Sequence, residues 1–89
     1  MEHVKIEFLG IAATGGGRQS LELALNEPTP VREVLNRASN RLGKAVSPAQ
    51  LEGRYMVLVE GCNIVYLEQW DTLVQPGQRV SVVPLLGGG

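Results

Sequence analysis

Only a few groups in this 89-residue sequence could carry out chemistry. Cys62 is the single cysteine and His3 the single histidine, so neither a metal tetrad nor a cysteine–histidine catalytic pair is expected. Both read as structural or incidental. Gly15-Gly16-Gly17 lacks the lysine and the serine or threonine of a phosphate-binding loop, and reads as a flexible hairpin loop that binds nothing. What remains is the end of the chain, Leu85-Leu86-Gly87-Gly88-Gly89. Glycine has no side-chain chemistry, so with Gly89 as the mature C-terminus the one reactive group is its α-carboxylate. A terminal carboxylate has a reference pKa of roughly 3.5, is ionised at neutral pH, and is a poor electrophile until something activates it.

Composition narrows the setting. Hydrophobic residues make up 44% of the chain and charged residues 19%, a balance that predicts one self-folding domain with a modest margin of stability. The net charge is −1 and the eight basic residues are scattered, so no stripe exists to neutralise a row of phosphates and nucleic acid is not an expected partner. No apolar run approaches the roughly 20 residues that span a bilayer. Met1–Lys5 leads straight into a strand pattern, without the basic and apolar regions of a signal peptide. A soluble cytoplasmic protein with no membrane partner is expected. The lone cysteine excludes an internal disulfide framework and agrees with a reducing compartment.

The elements that must position the tail follow from periodicity. Val4, Ile6 and Phe8 alternate with Lys5 and Glu7, which predicts a strand with one buried face. Gly10–Gln19 reads as a loop, followed by a second strand over Ser20–Asn26 in which Leu21, Leu23 and Leu25 alternate with Glu22, Ala24 and Asn26. Thr29-Pro30 predicts a helix start, with Thr29 as N-cap and Pro30 at the first helical position. Val31, Val34, Leu35, Ala38 and Leu42 share one helix face, Glu33 and Arg37 pair on the other, and Gly43 is placed to end the helix in a left-handed cap. Arg32, Arg37 and Arg41 read as a solvated basic face.

Ser47-Pro48 is a start for a short helical turn. Tyr55–Glu60 predicts an interior strand covered on both sides, Gly61-Cys62-Asn63 a turn, and Ile64–Leu67 a short strand. Trp70 is expected to pack and Asp71 to cap a turn. Gln75-Pro76-Gly77-Gln78 has proline and glycine where a type II turn needs them, and Val80–Pro84 is the last strand. Strand, strand, helix, strand, short strand, strand describes an α+β fold, a mixed four- to five-stranded sheet crossed by one main helix, in the β-grasp or ubiquitin-like order. The first and last strands of that order lie side by side in the centre. The expected division is a domain over residues 1–84 and a flexible C-terminal glycine tail over residues 85–89. An iron–sulfur ferredoxin, which shares this fold class, is removed by the absence of a cysteine cluster.

Gly61-x-Asn63-Ile64-x-x-Leu67, Asp71-Thr72-Leu73, Pro76-Gly77-Gln78-x-Val80 and Val83-Pro84-Leu85-Leu86-Gly87-Gly88-Gly89 follow one another in an order that resembles the closing third of the small ubiquitin-like sulfur carriers. These are the small subunit of molybdopterin synthase, the thiamine-pathway carrier ThiS and the archaeal ubiquitin-like small modifiers. Thr29-Pro30-Val31-Arg32-Glu33-Val34-Leu35 is similar to the stretch that opens their helix. The similarity covers nearly the whole chain outside Gly10–Gln19. Pro84 followed directly by Leu85, and a third glycine in the tail, depart from the molybdopterin synthase pattern.

The resemblance implies a protein cosubstrate rather than an enzyme. An adenylyltransferase of the ubiquitin-activating type would use ATP to couple Gly89 to AMP. Persulfide sulfur would then replace AMP to leave a thiocarboxylate. A sulfur-accepting synthase, such as the molybdopterin synthase large subunit or a thiazole synthase, would take that sulfur into molybdopterin, thiamine or a related cofactor. No cofactor or metal is expected on the chain itself. Five extended residues reach roughly 17 Å at about 3.3 Å each, enough to bring Gly89 from the domain surface into a partner's site. Gly87 and Gly88 suit a narrow channel because they lack a Cβ, and Gly87–Gly89 are expected to be mobile in the free protein. Leu86 leans towards contact with a partner, while Leu85 reads equally as a strand residue touching the helix or as the start of that docking surface. Two alternatives stand beside the carrier: a ubiquitin-like modifier conjugated through Gly89, and a non-covalent ubiquitin-like binding module whose tail is idle.

Overall fold

The structure is a computed structural model that describes residues 2–9, 18–43 and 46–85. A five-stranded sheet carries one main helix on one face. Strand β1 (His3–Leu9) runs antiparallel to β2 (Arg18–Ala24) and parallel to β7 (Arg79–Pro84), so the first and last strands are adjacent in the centre. Strand β4 (Tyr55–Val59) pairs antiparallel with β7 and with the two-residue β5 (Cys62–Asn63). A second, two-stranded sheet joins β3 (Thr29–Pro30) to β6 (Leu73–Val74). This is the β-grasp, ubiquitin-like arrangement that the element order predicts.

The alternation in β1 becomes packing directly. Val4, Ile6 and Phe8 are fully buried, and the register sets Ile6 between Leu21 and Val80, and Phe8 beside Val82. Val57 and Val59 extend the same layer from β4. Helix α1 (Val31–Leu42) buries Val31, Val34, Leu35 and Ala38 against that core. Each of its larger apolar side chains contributes about 1.5–3 kcal/mol relative to exposure. Glu33 and Arg37 pair on its solvent side, and Gly43 closes it with φ 66° and an N–H donated to the Ser39 carbonyl at 2.9 Å. Helix α2 (Pro48–Leu51) starts after Ser47, whose N–H donates to Gln50 Oε1 at 3.2 Å, and it buries Leu51. The turn before β7 forms as expected, with Gly77 at φ 92° and the Gln78 N–H donated to the Gln75 carbonyl.

Several expectations are corrected. Thr29 is not the helix N-cap: Pro30 holds that position, and the Thr29 hydroxyl donates instead to the Glu27 carbonyl at 2.9 Å. The orphan Val31 N–H goes to the Thr72 carbonyl at 2.8 Å, a partner supplied from across the fold. Strand β2 occupies residues 18–24 instead of 20–26, so Arg18 and Gln19 belong to the sheet and not to the preceding loop. Strand β4 is interior but covered on one face only, with Met56 and Leu58 half-buried on the other. The tight turn is Glu60-Gly61, both at positive φ, which leaves Cys62 and Asn63 to form β5. Ile64–Leu67 is no strand: Ile64–Tyr66 forms a 3-10 turn, because Asn63 Oδ1 accepts the Val65 N–H at 3.0 Å. Asp71, expected to cap a turn, pairs with Arg32 at the start of α1. Gly15-Gly16-Gly17 lies outside the described residues.

Candidate functional site

The central pairing of β1 with β7 decides where the chain leaves the sheet. Val80 and Val82 face the core and are fully buried, which anchors β7 between β1 and β4. The β4–β7 ladder pairs Tyr55 with Pro84, and one residue further on the Leu85 N–H donates to the Arg54 carbonyl at 3.1 Å. Arg54 is itself held by its N–H to the Leu51 carbonyl at 3.0 Å. Leu85 therefore sits at the rim of the sheet with its backbone held in the ladder, and the residue is 45% exposed. The backbone of Leu85 continues the ladder past the Tyr55–Pro84 pair. Leu86, Gly87, Gly88 and Gly89 lie outside the described residues.

Leu85 borders a shallow depression of about 230 Å³ that also touches Tyr55, Ile64, Val65 and Trp70. Trp70 packs against the core from the short 3-10 turn Gln69–Asp71, as expected for its bulk. Beside the depression Val65, Tyr66 and Leu67 are 58%, 81% and 40% exposed. A strand over Ile64–Leu67 would send these side chains to alternate faces, whereas here Val65, Tyr66 and Leu67 are all exposed. The signal that could have found this surface is Asn63, whose side chain favours a local turn over a ladder.

The other candidates lie apart. Cys62 is exposed at the start of β5, and His3 is exposed in β1, with β7 and β4 between them in the sheet. At the usual spacing of about 4.8 Å per strand, the intervening strands keep them from acting as a pair. Among the described residues no group of three His, Cys, Asp or Glu could hold a metal ion. No described helix is long and apolar enough to cross a membrane. Of the three helix arginines, Arg32 pairs with Asp71 and Arg37 with Glu33, both pairs in solvent.

No curated protein matches this sequence. Several solved structures match the fold, among them the following two. The solution structure of the Haloferax volcanii HVO 2177 protein has a TM-score of 0.67 at 21% identity, over 99% of this chain and 87% of that one. The solution structure of small archaeal modifier protein 1 (SAMP1) from Methanosarcina acetivorans has a TM-score of 0.65 at 22% identity, over 100% of this chain and 98% of that one. At such identities the likeness concerns the fold. The profile of the ThiS family matches residues 6–89, from β1 to the last glycine. The chain therefore belongs to the ThiS family of small ubiquitin-like carrier proteins.

Proposed function

We propose that this protein carries sulfur on the C-terminal carboxyl of Gly89, with residues 1–84 as the presenting domain and residues 85–89 as the tail that contacts partner enzymes. The observation that carries the reading is the fixed exit of the chain. Strand β7 is locked in the centre of the sheet, and the Leu85 N–H to Arg54 carbonyl bond sets the last ladder step at the rim. Whatever follows Leu85 starts from a rigid base beside exposed apolar surface. Membership of the ThiS family supports the same chemistry.

In this reading the carboxylate of Gly89 attacks the α-phosphorus of ATP on an adenylyltransferase, and pyrophosphate leaves. A persulfide sulfur then attacks the carbonyl carbon and displaces AMP. A second thiol of the donor then attacks the donor-side sulfur of this acyl disulfide, which releases the thiocarboxylate and leaves a disulfide on the donor. The thiocarboxylate sulfur passes to a synthase building molybdopterin, thiamine or a related product. Leu85, Leu86, Gly87 and Gly88 form the contact with these partners. The chain binds no cofactor of its own, and ATP belongs to the activating partner. A cytoplasmic setting, where ATP and persulfide donors meet, goes with this chemistry.

Removing Gly88 and Gly89 tests the proposal. The truncated chain should keep the melting temperature of the full chain and lose all ATP-dependent activation. A truncated chain that retains full function would make the tail idle and the protein a non-covalent binding module. A second reading, conjugation of activated Gly89 to an amine of another protein, is favoured by the fold match to a protein described as a small archaeal modifier. It shares the activation step, and isopeptide-linked Gly89 on cellular proteins would support it.

A further inference from the structure

The two edges of the five-stranded sheet are finished differently. On one side β5 has only two residues and offers little backbone to another strand. On the other side lies β2, seven residues long, paired with β1 along its whole length without a bulge. It contains no proline, and its two charged residues, Arg18 and Glu22, are of opposite sign. Among the described residues no strand lies against its outer side.

The ladder fixes which backbone groups face outward. The Leu25 N–H donates to the Glu2 carbonyl at 3.0 Å, in the register that pairs Val4 with Leu23 and Ile6 with Leu21. Hydrogen-bonded positions alternate in an antiparallel pair, so the odd-numbered residues of β2 turn their N–H and C=O towards β1. Arg18, Ser20, Glu22 and Ala24 turn theirs towards the free edge. The Lys5 N–H donated to the Gln78 carbonyl, on the far side of β1, fits the same alternation. These four β2 residues are all exposed.

We propose that β2 is a self-association surface, on which a second copy of this chain adds its own β2 antiparallel across a two-fold axis. Outward residues must oppose outward residues, which leaves few registers. Centring the axis on Ser20 sets Arg18 of each copy opposite Glu22 of the other. Centring it on Arg18 or Glu22 opposes like charges. Centring it on Gln19 or Leu21 sets one charge opposite Ser20 and gives no ion pair. Opposite charges facing each other across a strand pair stabilise it and like charges oppose it, so the Ser20 register is selected. On the helix side the half-buried Leu21 then opposes Gln19 and loses part of its remaining exposure. The sheet becomes continuous through both copies, and β7 stays clear of the junction because β1 lies between. The two chain ends therefore leave from opposite ends of the pair.

The test is sedimentation equilibrium of the full chain at concentrations rising to about millimolar, a range that detects weak association. The mass should rise from 9.6 kDa towards twice that value. Arg18→Glu and Glu22→Arg should each weaken association about tenfold or more, and the double variant R18E/E22R should restore it, because the symmetric pairs re-form with the signs exchanged. In the wild type, exchange of the Ser20 amide should slow as concentration rises, a readout that does not depend on any variant. A chain that stays monomeric, a dimer indifferent to the single reversals, or a double variant that remains dissociated would each overturn the proposal.

Discussion

The backbone N–H of Leu85 donates to the carbonyl of Arg54 at 3.1 Å, one step beyond the last pair of the β4–β7 ladder, while Leu85 stays 45% exposed. The fold thus holds the backbone of this residue and leaves its side chain for something else. Leu85→Asp should change stability by only about 0.5 kcal/mol, the range of surface substitutions. It should also lower the rate of ATP-dependent activation by the cognate enzyme about tenfold or more, as the loss of an apolar anchor does. Thermal melting and pyrophosphate release measure the two effects. Activation at the wild-type rate would confine Leu85 to the sheet.

The core gives the opposite pattern. Phe8 is fully buried where β1 lies between β2 and β7. Phe8→Ala should cost about 3–5 kcal/mol, a large part of the roughly 5–15 kcal/mol that holds a small domain together. Tyr66→Ser, at an 81% exposed position, should stay within about 0.5 kcal/mol. Denaturant unfolding of both variants checks the contrast.

Those residues also mark what the sequence made legible. The alternation of Val4, Ile6 and Phe8 and the three-and-four spacing of Val31, Val34, Leu35 and Ala38 are local patterns that tertiary packing reinforces, so β1 and α1 could be read directly. The helix start could not, because its first free N–H is satisfied by Thr72, a partner no local rule can find. Val65, Tyr66 and Leu67 have strand-forming side chains, yet the Asn63 side chain and the short β5 turn them outward. Strands β3 and β6 have two residues each and show no period at all. For the site, the chemistry of the Gly89 carboxylate was legible as an expectation, whereas the fixed base at Leu85 depends on the β4–β7 register and needed the fold.

The Glu60-Gly61 turn between β4 and β5 sits at φ 51° and 80°, and a Cβ added at Gly61 would meet nothing within 4 Å. Any loss in Gly61→Ala is therefore conformational. It should be about 1–2 kcal/mol, with Gly61→Asn losing less because asparagine tolerates the left-handed region better. Equilibrium unfolding should show the midpoint falling at an unchanged denaturant slope.

Arg32 at the start of α1 pairs with Asp71 in the turn that precedes β6, and both side chains are well exposed. Such a pair contributes little. A double-mutant cycle with Arg32→Ala and Asp71→Ala should give a coupling of at most about 1 kcal/mol, falling as salt is raised. A larger, salt-independent coupling would mean that the pair is shielded from solvent.

The most direct test of the carrier reading is the intact mass of the full chain after incubation with ATP, its activating enzyme and a persulfide donor. The account predicts exchange of one oxygen for sulfur, mapped by fragmentation to the carboxyl of Gly89 and absent when ATP is withheld. An unchanged carboxylate at Gly89 with every cognate activating enzyme would contradict it.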